Sequence, residues 1–196
     1  MEHFEQESKP RLISIAEHGL LGSSFYWSRY ADYSLTKEEL LETGMMDDQV
    51  YVAPEIVPAL TAVNAELQKR NWQLYLREGY RSPELYKLLY QKRVEKFGQA
   101  MTDKLMNIDD MPHASGHAVD VGIWDSHQEQ EIRLRKPDDG PESLIYGFYQ
   151  DANDLEGQRC QELQEYLVDL MQSHGFELGK KNEFFHFNYR SDNEDI

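Results

Sequence analysis

Two short segments of the chain place histidine beside carboxylate, the combination from which catalytic metal sites are built. The first runs from His113 to Asp120, and the second is Glu183-Phe184-Phe185-His186. A catalytic zinc site takes three protein ligands from His, Asp or Glu and leaves a fourth position for water. A metal site with a nearby general base is therefore one interpretation. A surface pair or a satisfied core hydrogen bond is the other, and residue type and spacing alone favour it.

The chain after His113 predicts a turn followed by a strand. Residues 115–116 form a small-residue turn, and the alternation over 118–123 is typical of a strand. Asp120 then projects from the face opposite the branched aliphatic side chains, so turn and strand together can bring it to His113. His117 could replace a ligand only if the stretch after His113 were helical. Gly116 and the β-branched run that follows argue against a helix there. We therefore expect His117 to pack against its neighbours or to support the metal ligands without binding the metal itself.

The second segment requires an irregular backbone if it contributes to the same site. Glu183 and His186 are three residues apart, and a regular pleat would send their side chains to opposite faces. Both can approach one metal only if the backbone turns or bulges near Phe184. We predict that irregularity, at the start of an aromatic-rich strand over 184–189.

The remaining pattern predicts an α+β fold. Apolar periodicity predicts three helices, and alternation predicts strands on either side of them. The predicted helices span about 55–70, 83–98 and 158–173, and the predicted strands span 73–77, 118–123 and 184–189. This order favours a mainly antiparallel sheet with helices packed on one face and a zinc cleft on the other.

Composition limits the class of protein. The length of 196 residues fits one domain over 1–196, with flexible tails at 1–10 and 191–196. A net charge of -16 argues against nucleic-acid and membrane-surface partners. The acidic N-terminus is unlike a signal peptide, which predicts a cytoplasmic location. Cys160 is the single cysteine, so an internal disulfide and a cysteine-rich zinc site are excluded, and any metal must use histidines and carboxylates.

Three segments, in this order, resemble the zinc D-alanyl-D-alanine dipeptidases. They are Glu78-Gly79-Tyr80-Arg81-Ser82-Pro83, His113-x-x-Gly116-x-Ala118-x-Asp120 and Glu183-x-x-His186. The likeness covers roughly residues 50–190 and includes the vancomycin-resistance dipeptidases. Related families are the D,D-carboxypeptidases and the L-alanyl-D-glutamate peptidases, which also cut bacterial wall peptides.

The resemblance implies a role for each matching residue. His113, Asp120 and His186 would ligate one zinc ion per chain, Glu183 would act as general base, and Arg81 would stabilise the oxyanion. An arginine keeps its charge and presents a rigid fork of donors, which suits that last role. Without the resemblance, a solvated arginine that caps the turn or pairs with a nearby glutamate is the preferred interpretation.

Substrate contacts follow the family pattern less closely. Met111 stands where the family usually has a serine, and a Phe pair replaces the usual Trp pair. The candidate substrate-binding residues are Asp151, with Asp154 as an alternative, together with Ser115, Phe184 and Phe185. Either aspartate could equally be a helix N-cap.

The leading functional expectation is zinc-dependent hydrolysis of D-Ala-D-Ala or a similar short D-amino-acid peptide. The alternatives are a D,D- or L,D-carboxypeptidase or endopeptidase acting on longer wall peptides, and a zinc-scaffold binding module without catalysis. An acidic α+β protein whose histidines only pack is the fourth possibility. The sequence does not predict the oligomeric state.

Overall fold

The computed structural model describes residues 10–106 and 108–190, so the predicted tails at 1–10 and 191–196 lie outside these ranges except for Pro10. The strands are β1 (Ile13–Ser14), β2 (Leu21–Gly22), β3 (Tyr51–Val52), β4 (Trp72–Glu78), β5 (Ala118–Asp125), β6 (Gln130–Glu131), β7 (Phe176–Leu178) and β8 (His186–Tyr189). The α-helices are α1 (Phe25–Ser28), α2 (Lys37–Glu42), α3 (Val57–Gln68), α4 (Pro83–Phe97), α5 (Gln99–Leu105) and α6 (Leu155–Ser173). Short 3₁₀-helices span Ile15–His18, Tyr30–Tyr33, Pro54–Ile56, Pro112–Ser115 and Pro141–Leu144.

The main sheet has the strand order β2-β4-β5-β8-β7, and β6 pairs with β5 beyond this path. Strand β2 is parallel to β4, and the other pairings are antiparallel. Strands β1 and β3 form a separate antiparallel pair. The structure thus confirms a mixed α and β fold with a mainly antiparallel sheet.

Helices α3 and α6 cover one face of the sheet because each carries a stripe of apolar side chains. Leu60 and Leu67 of α3, with Leu167 of α6, are fully buried against Val121 of β5. Asp120 belongs to the opposite face of the strand, as its alternation with Val121 predicts. No helix in the described ranges is long and apolar enough to cross a membrane.

Helix α4 packs differently from α3 and α6. Its residues Leu85, Tyr86 and Leu89 form a second apolar cluster with Tyr26 of α1 and Leu40 of α2. Since Tyr26 and Tyr86 also line the cleft on the Asp120 side of the sheet, the second cluster forms a wall of that cleft.

Side-chain caps fix where the two longest helices begin. Ser82 accepts a hydrogen bond from the Leu85 N–H at 3.1 Å, and Pro83 takes the first helical position, as predicted. Helix α6 begins at Leu155, before the predicted residue 158, because the Asp154 side chain accepts from the Gly157 N–H at 2.9 Å. Asp154 is therefore an N-cap, the second of the two interpretations that the sequence left open.

Candidate metal centre

Three side chains from separate parts of the chain converge on one point. His113 comes from a 3₁₀-helix, Asp120 from β5 and His186 from the start of β8, and their ligand atoms all lie within 4.8 Å of one another. Asp120 and His186 are paired in register across the sheet, which places their side chains on the same face. These residues form a group that could hold one metal ion.

The distances between the ligand atoms fit tetrahedral coordination. His113 Nε2 lies 3.2 Å from His186 Nδ1 and 3.5 Å from Asp120 Oδ1, and the latter two atoms are 2.8 Å apart. Bonds of about 2.0–2.1 Å at tetrahedral angles would separate neighbouring ligand atoms by about 3.3 Å. The three atoms therefore need only small movements to share one ion.

A backbone contact orients the ring of His113. Its Nδ1 lies 2.7 Å from the carbonyl oxygen of Gly79, which can only accept a hydrogen bond. The Nδ1 atom must therefore carry the proton, and the lone pair of Nε2 faces Asp120 and His186. Such support behind a ligand is typical of metal-binding histidines.

The protonation states of two candidate ligands suit a cation. Burial lowers the pKa of His113, which keeps the imidazole neutral near pH 7. Burial acts to raise the pKa of Asp120, but the imidazoles of His113 and His186, which attract the carboxylate when they carry an added proton in place of a metal, hold that pKa well below its usual range. A neutral imidazole and an ionised carboxylate are the forms that bind metals.

Gly116 determines how the chain leaves His113 for β5. Its φ is +80°, and a Cβ there would lie 2.9 Å from the Ala53 backbone nitrogen. The Gly116 N–H donates to the His113 carbonyl at 3.1 Å, and its own carbonyl accepts from the Ala53 N–H at 3.0 Å. Only glycine combines this conformation with so close a backbone approach. The predicted small-residue turn before the strand is confirmed.

The predicted irregularity near Phe184 is present as a tight turn. Glu183 forms an isolated bridge with Ile145, and the His186 N–H donates to the Glu183 carbonyl at 3.1 Å. The chain turns through Phe184 and Phe185 before β8 begins. Glu183 and His186 consequently both line the same cleft, although they are three residues apart.

Glu183 has an environment that suits a general base. It is half-buried at the cleft wall and lies outside the three-residue ligand group. Burial and the neighbouring charge of Asp120 raise the pKa of Glu183 above its ordinary value. A more basic carboxylate takes a proton from water more readily.

Arg81 follows β4 and precedes α4, as the sequence predicts. Its backbone N–H donates to the His113 carbonyl at 3.1 Å, and its Nη2 lies 3.9 Å from Asp120 Oδ2. The side chain is buried and lines the cleft. Its place beside the candidate ligands distinguishes it from a solvated arginine that only caps the turn.

Glu78 is a residue of the site that sequence reasoning missed. Strand alternation would turn it toward the core with Leu76, but a register shift between these two residues pairs Glu78 with Asp120. Glu78 is 2% exposed, and its Oε2 has no hydrogen-bond partner among the described residues. Burial raises the pKa of Glu78 to about 8, against the opposing charge of Arg81.

We expect Glu78→Gln to change how stability depends on pH in the metal-free protein. A folded-state pKa of about 8, against an ordinary 4.5, means that the native chain keeps a proton that the unfolded chain releases. The resulting stabilisation is complete below the unfolded pKa and is lost as the pH rises through about 8. Urea denaturation with chelator should show the free energy of unfolding falling less between pH 5 and pH 8 in Glu78→Gln than in wild type. The exposed Glu84→Gln is the control, and equal slopes in all three proteins would contradict the assignment.

The candidate substrate-binding residues separate into two groups. Ser115 and Phe185 line the cleft. The structure places Phe184 in the hydrophobic core instead, 2% exposed. Asp151 lies in an exposed turn and is not among the residues that line the cleft. His117 lies at the rim, 3.8 Å from a carboxylate oxygen of Glu55, and outside the ligand group.

The cleft is large and differs in charge from the rest of the chain. Its volume is about 1840 Å³. Among the residues that the structure describes, eight Lys and Arg residues line it, against six Asp and Glu residues. Basic groups thus outnumber acidic ones in the cleft of a chain whose net charge is -16. Such a lining favours a ligand that carries a carboxylate.

Gly179 leaves the space that the ring of His186 occupies. A Cβ on Gly179 would overlap the His186 Cδ2 and lie 2.8 Å from its Nε2. We expect Gly179→Ala to displace the ring and weaken zinc binding by roughly 10–100-fold without removing a ligand. Competition with a chromophoric chelator measures this, with the exposed neighbour Lys180→Ala as control. Unchanged affinity in Gly179→Ala would argue against His186 as a ligand.

No protein-family model matches the sequence. No curated protein matches it either. Among solved structures, the chain is similar to the LdcB LD-carboxypeptidase, with a TM-score of 0.48 and 19% identity over 71% of this chain and 59% of that one. A Zn(II) complex of a mutant of the vancomycin resistance D,D-pentapeptidase VanY, from a VanB-type cassette, has a TM-score of 0.42 and 14% identity, and the match covers 74% of this chain and 75% of that one.

A third similar structure is the vancomycin resistance D,D-dipeptidase VanXYg in complex with a D-Ala-D-Ala phosphinate analogue. Its TM-score is 0.44 with 18% identity, and the match covers 73% of this chain and 52% of that one. The chain therefore spans between half and three fifths of the LdcB and VanXYg structures. The three similar structures are thus described as an LD-carboxypeptidase, a D,D-pentapeptidase and a D,D-dipeptidase.

Proposed function

We propose that the chain is a zinc-dependent peptidase that hydrolyses D-Ala-D-Ala or a similar short D-amino-acid peptide. The observation that carries the proposal is the convergence of His113, Asp120 and His186, with Glu183 beside them in the same cleft. Three neutral or anionic ligands with a carboxylate nearby form the usual composition of a hydrolytic metal site. The preference for D-amino-acid peptides comes from the three sequence motifs.

His113, Asp120 and His186 would hold the zinc ion, which would supply a Lewis acid and lower the pKa of water at the site. Glu183 then takes a proton from the attacking water and returns it to the amine nitrogen as the peptide C–N bond breaks. Arg81 donates hydrogen bonds to the carbonyl oxygen as its negative charge grows, a contribution of the order of ~3 kcal/mol. Burial of Arg81 strengthens this interaction, because water competes less for its donors.

The size of the cleft supports a second candidate within the same chemistry. Its volume of about 1840 Å³ exceeds the roughly 300–1,000 Å³ that encloses a drug-sized ligand, and a dipeptide is smaller still. A D,D- or L,D-carboxypeptidase acting on longer wall peptides would use that space. The basic lining suits the free carboxylate that both substrate classes carry.

The position of Glu183 disfavours a scaffold that only binds. A binding module has no need for a half-buried carboxylate of raised pKa beside its metal ligands. The alternative of histidines that merely pack predicts a purified protein without stoichiometric metal. The predicted cytoplasmic location and the single domain over 1–196 stay predictions.

The test combines metal content with a panel of substrates on one preparation. Zinc-reconstituted protein is incubated with D-Ala-D-Ala, with L-Ala-L-Ala, and with wall tetrapeptides and pentapeptides that end in D-alanine, and released alanine is measured. About one zinc per chain with turnover of D-Ala-D-Ala supports the dipeptidase. Turnover of the longer peptides alone would favour the carboxypeptidase. Bound zinc without turnover would favour the binding scaffold, and a chain that binds no zinc would contradict the whole proposal.

A further inference from the structure

The guanidinium of Arg81 is held by aromatic rings. Its Cζ lies over the ring of Tyr26 and over the ring of Tyr86, 4.8 Å from each centroid. Tyr26 belongs to α1 and Tyr86 to α4, so two separate helices supply the contacts. All three side chains are less than 9% exposed. A cation over a ring face is attracted most strongly where water is excluded.

These contacts are made over the ring faces and use none of the hydrogen-bond donors of the guanidinium. The five N–H donors of an arginine lie in the plane of the group. Arg81 Nε is buried without a hydrogen-bond partner among the described residues. The Asp120 Oδ2 atom lies 3.9 Å from Nη2, beyond hydrogen-bonding distance. A buried donor without a partner is unfavourable unless a ligand supplies the acceptor. The rings therefore position Arg81 without occupying the donors that a substrate oxygen would need.

Tyr86 also connects the arginine to a candidate metal ligand. Its hydroxyl accepts a hydrogen bond from the His113 N–H at 3.0 Å. The Arg81 N–H donates to the His113 carbonyl at 3.1 Å, so both polar groups of the His113 backbone bond to this unit. Burial raises the pKa of Tyr86 to about 12, which keeps its hydroxyl neutral across the working range of an enzyme.

We propose that Tyr26 and Tyr86 are positioning residues that hold the guanidinium of Arg81 against their ring faces, so that its donors stay aimed at the substrate carbonyl oxygen. The inference rests on the proposed function for the identity of that oxygen. Tyr86 has a second task, because its hydroxyl fixes the backbone that carries His113. Removal of either ring releases Arg81, whereas removal of the Tyr86 hydroxyl alone acts on His113.

The kinetic test is a double-mutant cycle. Tyr26→Leu and Tyr86→Leu are each expected to lower kcat by about 10-fold or more with a smaller change in KM, since a misplacement of about 1 Å can cost on the order of 10²-fold. Tyr26→Leu should have little further effect on kcat in an Arg81→Ala background, because its ring acts through that arginine. Tyr86→Leu should keep in that background only the smaller effect that Tyr86→Phe shows, which acts through His113. Tyr26→Phe restores the ring and should bring kcat back to within about threefold of wild type. Tyr86→Phe should restore kcat less completely and weaken zinc binding.

A second measurement follows the arginine itself and needs no turnover. The side-chain Nε–H signal of Arg81 is identified in ¹H–¹⁵N spectra by its loss in Arg81→Lys. We expect a sharp, ring-shifted signal in wild type and in Tyr26→Phe, and a signal moved toward that of free arginine in each Leu variant. Thermal unfolding checks that each variant is folded. If a Leu variant does not fold, the Phe variants still test the separate roles of the ring and the hydroxyl.

The outcomes separate this inference from the proposed function. An unchanged Arg81 signal in folded Leu variants would overturn the positioning role, as would Leu effects on kcat that are equally large in the Arg81→Ala background. Wild-type protein that hydrolyses no peptide would count against the proposed function alone. The Arg81 signal would then still decide whether the two rings hold the guanidinium.

Discussion

Glu183→Gln should lower kcat by about 10²–10⁴-fold on whichever peptide the wild type hydrolyses, the range that a positioned general base contributes. Glutamine keeps the size of the side chain but cannot take the proton from the attacking water. Because Glu183 lies outside the ligand group, the zinc content should stay near one per chain. Rates at saturating substrate and metal analysis on the same preparation measure both quantities.

The matched control for this variant is Glu177→Gln. Glu177 also lines the cleft, but its carboxylate pairs with Arg190 at 2.9 Å and lies largely in solvent. Its substitution removes the same charge from the same cleft and should leave kcat within about threefold, as is usual for exposed pairs. If both substitutions lower kcat equally, the loss of activity comes from the electrostatic field of the cleft. If Glu183→Gln keeps full activity, Glu183 is not the general base.

The parts of the site that the sequence predicts depend on local rules. The turn between Glu183 and His186 follows from a spacing that a regular strand cannot accommodate, and the structure has that turn. The cap at Ser82 and the placement of Asp120 opposite Val121 likewise depend on neighbouring residues alone. Side-chain period and capping chemistry act over a few residues, so a single sequence carries them.

The parts that the sequence does not predict depend on pairing between distant segments. Glu78 faces Asp120 because of a register shift between β4 and β5, and nothing within β4 signals that shift. The two phenylalanines of the second segment look equivalent in sequence, yet the turn sends Phe184 into the core and Phe185 to the cleft. Contacts of Arg81 with Tyr26 on α1 depend on how two helices pack. Tertiary packing, which local patterns do not encode, decides each of these cases.

Asp120→Asn should abolish the stabilisation of the protein by zinc. A ligand at 100 times its dissociation constant stabilises the native state by about 2.7 kcal/mol. For a domain of this size, that corresponds to a rise in Tm of roughly 5–10 °C. Asparagine has nearly the same shape as aspartate, but it carries no negative charge. The Asp120 carboxylate, in contrast, is ionised beside His113 and His186, because its pKa lies well below the usual range. The rise should therefore be lost in Asp120→Asn, and the zinc content should fall well below one per chain.

His117→Ala is the control for that variant, and it also tests the one rival ligand in the same segment. His117 lies at the rim, outside the group formed by His113, Asp120 and His186, so its removal should leave the zinc-dependent rise in Tm unchanged. A rise retained in Asp120→Asn and lost in His117→Ala would mean that the metal lies nearer the rim. A rise lost only in Asp120→Asn would place the ion between His113, Asp120 and His186, in the cleft that Glu183 also lines.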